Sequence, residues 1–160
     1  MASKNTATDF APAERLEDGE VYLQTIKFLG KRDLIKILHI LPNMVVVLNK
    51  QRQVIFANDA FMKAIDVVKF EDSLGHRPGE LLICVHSLDN TNGCGTGKEC
   101  RHCGAVLTVL KAQETGRKEE RNATITVNKD GKLVALHLQV IATPITVDNE
   151  IFYFVVITEK

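Results

Sequence analysis

Net charge is the first thing this chain lacks. Twenty Lys and Arg side chains cancel twenty Asp and Glu, so there is no whole-chain electrostatic footprint for nucleic acid or for an anionic membrane surface. Binding to either is disfavoured, and no nucleic-acid partner is expected. Long apolar runs are missing as well: stretches such as residues 151–157 fall far short of the roughly 20 residues needed to cross a bilayer, and no membrane span is expected. Residues 1–18 are polar and acidic, without the apolar stretch of a secretory signal, so the expected location is cytoplasmic. Phosphate-loop chemistry is unsupported too, because "GCGTGKE" lacks the four-residue gap and the Lys-Ser/Thr ending. No Ser, His and acid arrangement and no paired carboxylates stand in a recognisable context. The chain is not expected to be an enzyme.

What is present fits one globular unit. A length of 160 residues suffices for one core plus a short extension, and 45% apolar with 25% charged residues is the balance of a folded soluble domain. Residues 1–20 show no sustained apolar period and read as a mobile N-terminal tail. Residues 21–41 form an N-terminal helical segment, with Val21, Leu23, Ile26, Leu29, Leu34, Ile35, Leu38 and Leu41 mostly three or four apart and Gly30 interrupting. Residues 42–160 change period. The apolar runs 44–48 and 54–57 around a polar turn predict a hairpin, and Asn58 predicts a helix cap. A glycine-rich middle section at 66–99 is where a site is expected. A helix from Ala105 stopping at Gly116 follows, then strands at 121–127, 133–143 and 151–157. The fold class expected from this order is α+β with an antiparallel sheet.

The run "LPNMVVVLNKQRQVIFANDAF", the connector "LGHRPGEL" and the closing "FYFVVITEK" resemble, in order and spacing, the PAS domain sensor family. The resemblance covers about residues 37–159. It implies a five-stranded antiparallel sheet with helices on one face, enclosing a ligand or cofactor and reporting its state to an output signalling domain or protein such as a histidine kinase. Neither a kinase-like phosphate loop nor another catalytic module is recognisable, so a sensor fragment or a standalone sensory protein is expected. A homodimer is implied by the resemblance and is consistent with the amphipathic N-terminal helix.

Cys84, Cys94, Cys100 and Cys103 are all the cysteines in the chain, and they lie in a cysteine-rich loop at 84–103 with the spacing C-x9-C-x5-C-x2-C. A Cys-x-x-Cys pair can present two thiolates to one metal, and Gly93, Gly95 and Gly97 allow the loop to fold back. In a cytosolic chain such clustering points to metal or redox chemistry ahead of disulfides. The Gly-Cys-Gly and Cys-x-x-Cys-Gly pattern is similar to that of a subset of PAS sensors. That likeness implies a cofactor-bearing sensor and is carried by Cys94, Cys100 and Cys103, with Cys84 as the fourth ligand.

Three occupants compete. An iron–sulfur cluster suits four thiolates and would give a redox or oxygen response. Structural zinc needs the same ligands and would only fasten the loop, leaving a zinc-stabilised interaction domain. A thiol–disulfide redox switch is the third, since the dipole of the helix after Cys103 would lower a thiol pKa. His86 is a spare ligand, whereas His102, inside the cysteine pair, is expected to face solvent. Covalent haem is disfavoured because Gly104 and not a histidine follows the pair. Noncovalent haem through His76, His86 or His137 ranks below iron–sulfur and zinc. The reading reached is a signal-sensing module that binds an iron–sulfur cluster through the four cysteines.

Overall fold

A computed structural model describes residues 7–160. The helical spacing after residue 18 resolves into α1 (Asp18–Leu29) and α2 (Arg32–Ile40), separated at Gly30 and Lys31. α1 begins three residues ahead of the expected segment, where the Glu20 carboxylate accepts from the backbone N–H of Glu17 and satisfies one of the free donors of the first turn. The expected hairpin follows as β1 (Met44–Leu48) and β2 (Val54–Ala57). Next come the short α3 (Asp59–Ala64) and α4 (Pro78–Leu81), then α5 (Gly104–Thr115), closed by Gly116 at φ 66° as the sequence predicts. Three long strands complete the chain: β3 (Glu119–Lys129), β4 (Lys132–Val147) and β5 (Glu150–Glu159).

The five strands form one antiparallel sheet in the order β2-β1-β5-β4-β3. Two-residue turns join the long strands: Asp130 and Gly131 at φ 52° and 82°, and Asp148 and Asn149 at φ 49° and 66°. Positive φ at both positions gives these turns the twist that antiparallel strands need. β4 extends past the expected end at residue 143 and through Pro144. Among the described residues its single neighbour beyond Ala142 is β5, so Pro144 lies on an edge where a missing N–H need break no ladder bond.

Alternation along β1 builds two cores. Val46 and Leu48 face one side with Phe61 of α3, Val109 and Ala112 of α5, and Val140 and Val155 of the sheet. Val45 and Val47 face the other with Ile55, Phe56, Val21, Phe28 and Leu38. The Phe28 ring lies 5.2 Å from Phe56 and 6.0 Å from Phe154, centroid to centroid. Such pairs add about 0.5–1.5 kcal/mol to what area burial contributes. α1 and α2 therefore cover the second face of the sheet, whereas the family resemblance implies helices on one face only. The fold class is as expected, α+β with a five-stranded antiparallel sheet, flanking helices and an N-terminal helical segment.

Residues 1–6 of the expected tail lie outside the described residues, and residues 18–20 are the first turn of α1. The segment between them is laid against the cysteine loop as a strap. The backbone N–H of Asp9 donates to Thr96 O at 3.1 Å, and that of Ala11 to Gly95 O at 3.0 Å. Gln53 brackets Leu16, accepting from its N–H at 2.9 Å and donating to its carbonyl at 3.1 Å.

Candidate functional site

A cavity of about 250 Å³ opens between the first face of the sheet, α4, α5 and the loop 84–103. Its floor is apolar, formed in part by Leu48, Val109, Leu138 and Val155, and its wall carries Cys84, Cys94, Cys100 and Cys103. Each cysteine arrives by a different local route. Cys84 follows Ile83, a β-branched residue held at φ 58°, and forms an isolated bridge with Val127 of β3. Cys94 stands between Gly93 at φ 85° and Gly95 at φ 88°, a pair of left-handed residues that folds the loop back as the glycine pattern predicts. Its backbone N–H donates to the Glu80 carboxylate at 3.0 Å. Cys100 is buried in a single 3-10 turn spanning Lys98–His102, and Cys103 is the residue on which α5 starts. α5 can approach β3 so closely because its first residue is Gly104, where a Cβ would collide with the carbonyl oxygen of Asn122.

Burial holds three of the thiols, Cys84, Cys94 and Cys103, in their protonated form. Burial pushes Cys94 up to about 12, against the opposing hydrogen bond from Gly79. Burial also raises Cys84 and Cys103. For Cys103 the backbone N–H groups of Ala105 and Val106, at the start of α5, pull the other way and are outweighed. Desolvation thus overcomes the helix terminus, contrary to the lowered pKa expected there, and a raised thiol is a poor nucleophile. No disulfide is present among the four cysteines. Among the described residues, no three His, Cys, Asp or Glu side chains converge closely enough to ligate one ion. The donor chemistry suits a thiophilic metal, and metal binding would have to draw in the sulfurs and release their protons.

The histidines divide as follows. His86 reaches the cavity, and its Nδ1 lies 2.8 Å from Asp89 Oδ2, the kind of second contact that orients a metal-ligating imidazole. His102 is exposed but also borders the cavity. His137 sits on the solvent side of β4, with Nδ1 3.2 Å from Thr124 Oγ1. His76 lies outside the cavity, 3.8 Å from Glu80.

Three charged residues at the site went unread in the sequence. Arg77 is fully buried, and its guanidinium donates to the carbonyls of Gln51 at 3.0 Å, Asn92 at 3.1 Å and Glu14 at 2.9 Å. Arg52 is 5% exposed and donates to Pro12 O at 2.9 Å. Glu80 pairs with Arg15 and also accepts from the Arg77 backbone N–H. Burial, then the charges of Arg52 and Arg15, bring Arg77 down to about 9, which still leaves it cationic at neutral pH. Arg52 and Arg77 both line the cavity. Nothing periodic marks them in the sequence, and the φ of 65° at Arg52, in a turn where Gly or Asn is usual, is visible only in the structure.

No family model matches this chain, and no curated protein matches it. Solved structures do. The PAS domain of a two-component sensor histidine kinase is similar at a TM-score of 0.54, with 12% identity over 83% of this chain and 98% of that one. The PAS domain of nitrogen regulation protein NR(II) from Vibrio parahaemolyticus gives 0.53, with 16% identity over 79% and 97%. A PAS domain from Colwellia psychrerythraea gives 0.55, with 18% identity over 83% and 97%. The chain has the PAS fold. Among the described residues no helix is long and apolar enough to cross a membrane.

Proposed function

We propose that this chain is a signal-sensing module that holds an iron–sulfur cluster through Cys84, Cys94, Cys100 and Cys103 and relays the state of that site to an output partner. One observation carries the reading: four cysteines from four separate local structures wall a single cavity. Binding of such a cluster would supply a one-electron redox response or oxygen lability. The chain's own residues supply the rest. The apolar floor excludes water, His86 stands by as a spare ligand, and the strap hydrogen-bonded to Gly95 and Thr96 leads directly into α1. A rearrangement of the loop therefore has a covalent and hydrogen-bonded route to the N-terminal helices. Leu23, Ile26, Ile37 and Ile40 are exposed there, which supports pairing of two copies through α1 and α2. A histidine kinase is the proposed class of output protein, by analogy with the kinase whose PAS domain is similar, and the proposed location is cytoplasmic. Sensing rather than catalysis is the role proposed, and the raised thiols argue against the redox-switch alternative.

The test is metal and acid-labile sulfide analysis, with a visible spectrum, on protein purified without oxygen. Brown protein with iron and sulfide, bleaching in air and colourless in C100S, is the expected result. Colourless protein with one zinc per chain would make it a zinc-fastened interaction domain instead. Protein without metal after reconstitution would overturn the site.

A further inference from the structure

Arg52 is a cation set in the wall of an otherwise apolar, cysteine-lined cavity. Among the described residues its guanidinium has no carboxylate partner: the carboxylate of this region, Glu80, is taken by Arg15. Among the described residues its side chain makes one hydrogen bond, through Nη2 to Pro12 O, and this leaves Nε and Nη1 without a protein acceptor. A Cβ placed on Gly95 would stand 3.3 Å from both Arg52 Nε and Nη2, so the guanidinium lies directly against the backbone beside Cys94. Arg77 behind it is also without a carboxylate, but carbonyl oxygens on several segments occupy its donors. Asp89 and Glu99 are exposed, and Glu99 stands at the cavity mouth without an ion pair among the described residues. Exposed charges are screened by water and salt, whereas buried ones are screened much less. Two buried positive charges thus face the cysteines uncompensated, and Arg52 is held in a left-handed conformation that costs a non-glycine residue free energy.

We infer that Arg52 is the charge-compensating residue of the cysteine site, selecting an occupant that is anionic once its thiolates are counted. The inference rests on the proposed four-cysteine site and adds a residue outside the ligand set. Four thiolates around a doubly positive core, whether zinc or an oxidised cluster, leave two net negative charges, and the guanidiniums of Arg52 and Arg77 balance them. The free Nε–H and Nη1–H groups of Arg52 are donors for a thiolate sulfur or for a cluster sulfide. Cys94 and Cys100 are the cysteines whose thiolate forms would act most strongly on Arg52.

Zinc titration of the reduced, metal-free chain against a chromophoric chelator tests this, using wild type, R52Q and R52K. Wild type is expected to bind one zinc per chain. R52Q should bind about tenfold to a hundredfold more weakly, the usual cost of losing a partner behind the ligands, and R52K should stay near wild type because it keeps the charge. Near-ultraviolet circular dichroism of the metal-free variants separates charge from folding, since a merely structural Arg52 would disturb that spectrum equally in R52Q and R52K. Wild-type affinity in R52Q, or equal losses in both variants, overturns the inference while leaving the cysteine site intact. Absence of zinc binding by wild type would instead strike at the cysteine site itself.

Discussion

A methyl group on Gly79 would stand 2.6 Å from Cys94 Sγ and 3.5 Å from Cys84 Cβ. α4 carries glycine at its second residue because two cysteines crowd it, and any side chain there must swing the Cys94 sulfur aside. G79A is expected to retain the fold, judged by far-ultraviolet circular dichroism, and to bind zinc at least tenfold more weakly, in line with the effect of disturbing a ligand's support. Undiminished zinc affinity in G79A would remove Cys94 from the ligand set.

Asn58 is expected to matter more than a helix cap does. Its Oδ1 accepts from the N–H groups of Phe61 and Val45, and its Nδ2 donates to the carbonyls of Leu38 and Asn43. A cap alone is worth about 1 kcal/mol. N58A also strands buried backbone groups, each costing about 1–3 kcal/mol when left unpaired. Urea denaturation should show a loss of about 3 kcal/mol, and a loss near 1 kcal/mol would mean that water replaces the bonds to α2 and β1.

Ile83 is half-exposed and held at φ 58°. Asn tolerates that conformation and a β-branched residue does not. I83N should raise the urea midpoint, by about 1 kcal/mol of stability. A fall would show that the exposed side chain makes contacts outweighing the strain.

Acid should loosen the strap through Glu80. Burial by itself would raise this carboxyl, but hydrogen bonds from the Arg15 side chain and from the Arg77 and Cys94 backbone N–H groups outweigh it and hold the group low. A depressed folded pKa gives stability that is fully present above the ordinary glutamate value, about 4.3, and lost as pH falls through the folded one. Arg77, at about 9, stays charged over that range, and His76 at 3.8 Å is controlled for with an H76Q background. Urea midpoints measured from pH 6 downward should fall less steeply in E80Q than in wild type. Parallel curves would show that Glu80 does not contribute to the acid dependence.

Elements specified by local pattern were legible in the sequence. The β1–β2 hairpin, the Asn58 cap and the Gly116 stop of α5 are all set by side chains a few residues apart. The end of β4 was not, because Pro144 reads as a terminator until β3 is known to stop pairing at Ala142. The shared wall of the four cysteines followed from their clustering, but the guanidiniums behind them did not. Arg77 is stabilised by carbonyls at residues 12–14, 51 and 92, and a carbonyl is the same atom in every residue, so the sequence carries no sign of it. The strap was hidden for the same reason. Its polar composition reads as disorder, while its order comes from backbone N–H and C=O groups meeting Gly95, Thr96 and Gln53.

The strand order has a consequence in time. β1 lies between β2 and β5, and its register joins Met44 to Ile157 and Leu48 to Tyr153, contacts more than a hundred residues apart along the chain. Closing so large a loop entropically precedes any reward from the pairing, which slows folding of sheets built this way. During synthesis the hairpin of β1 and β2 must wait with one edge open until β5 has been made. Val45, Val46 and Val47, the most deeply buried run of that hairpin, are therefore the segment most exposed to mispairing in the nascent chain.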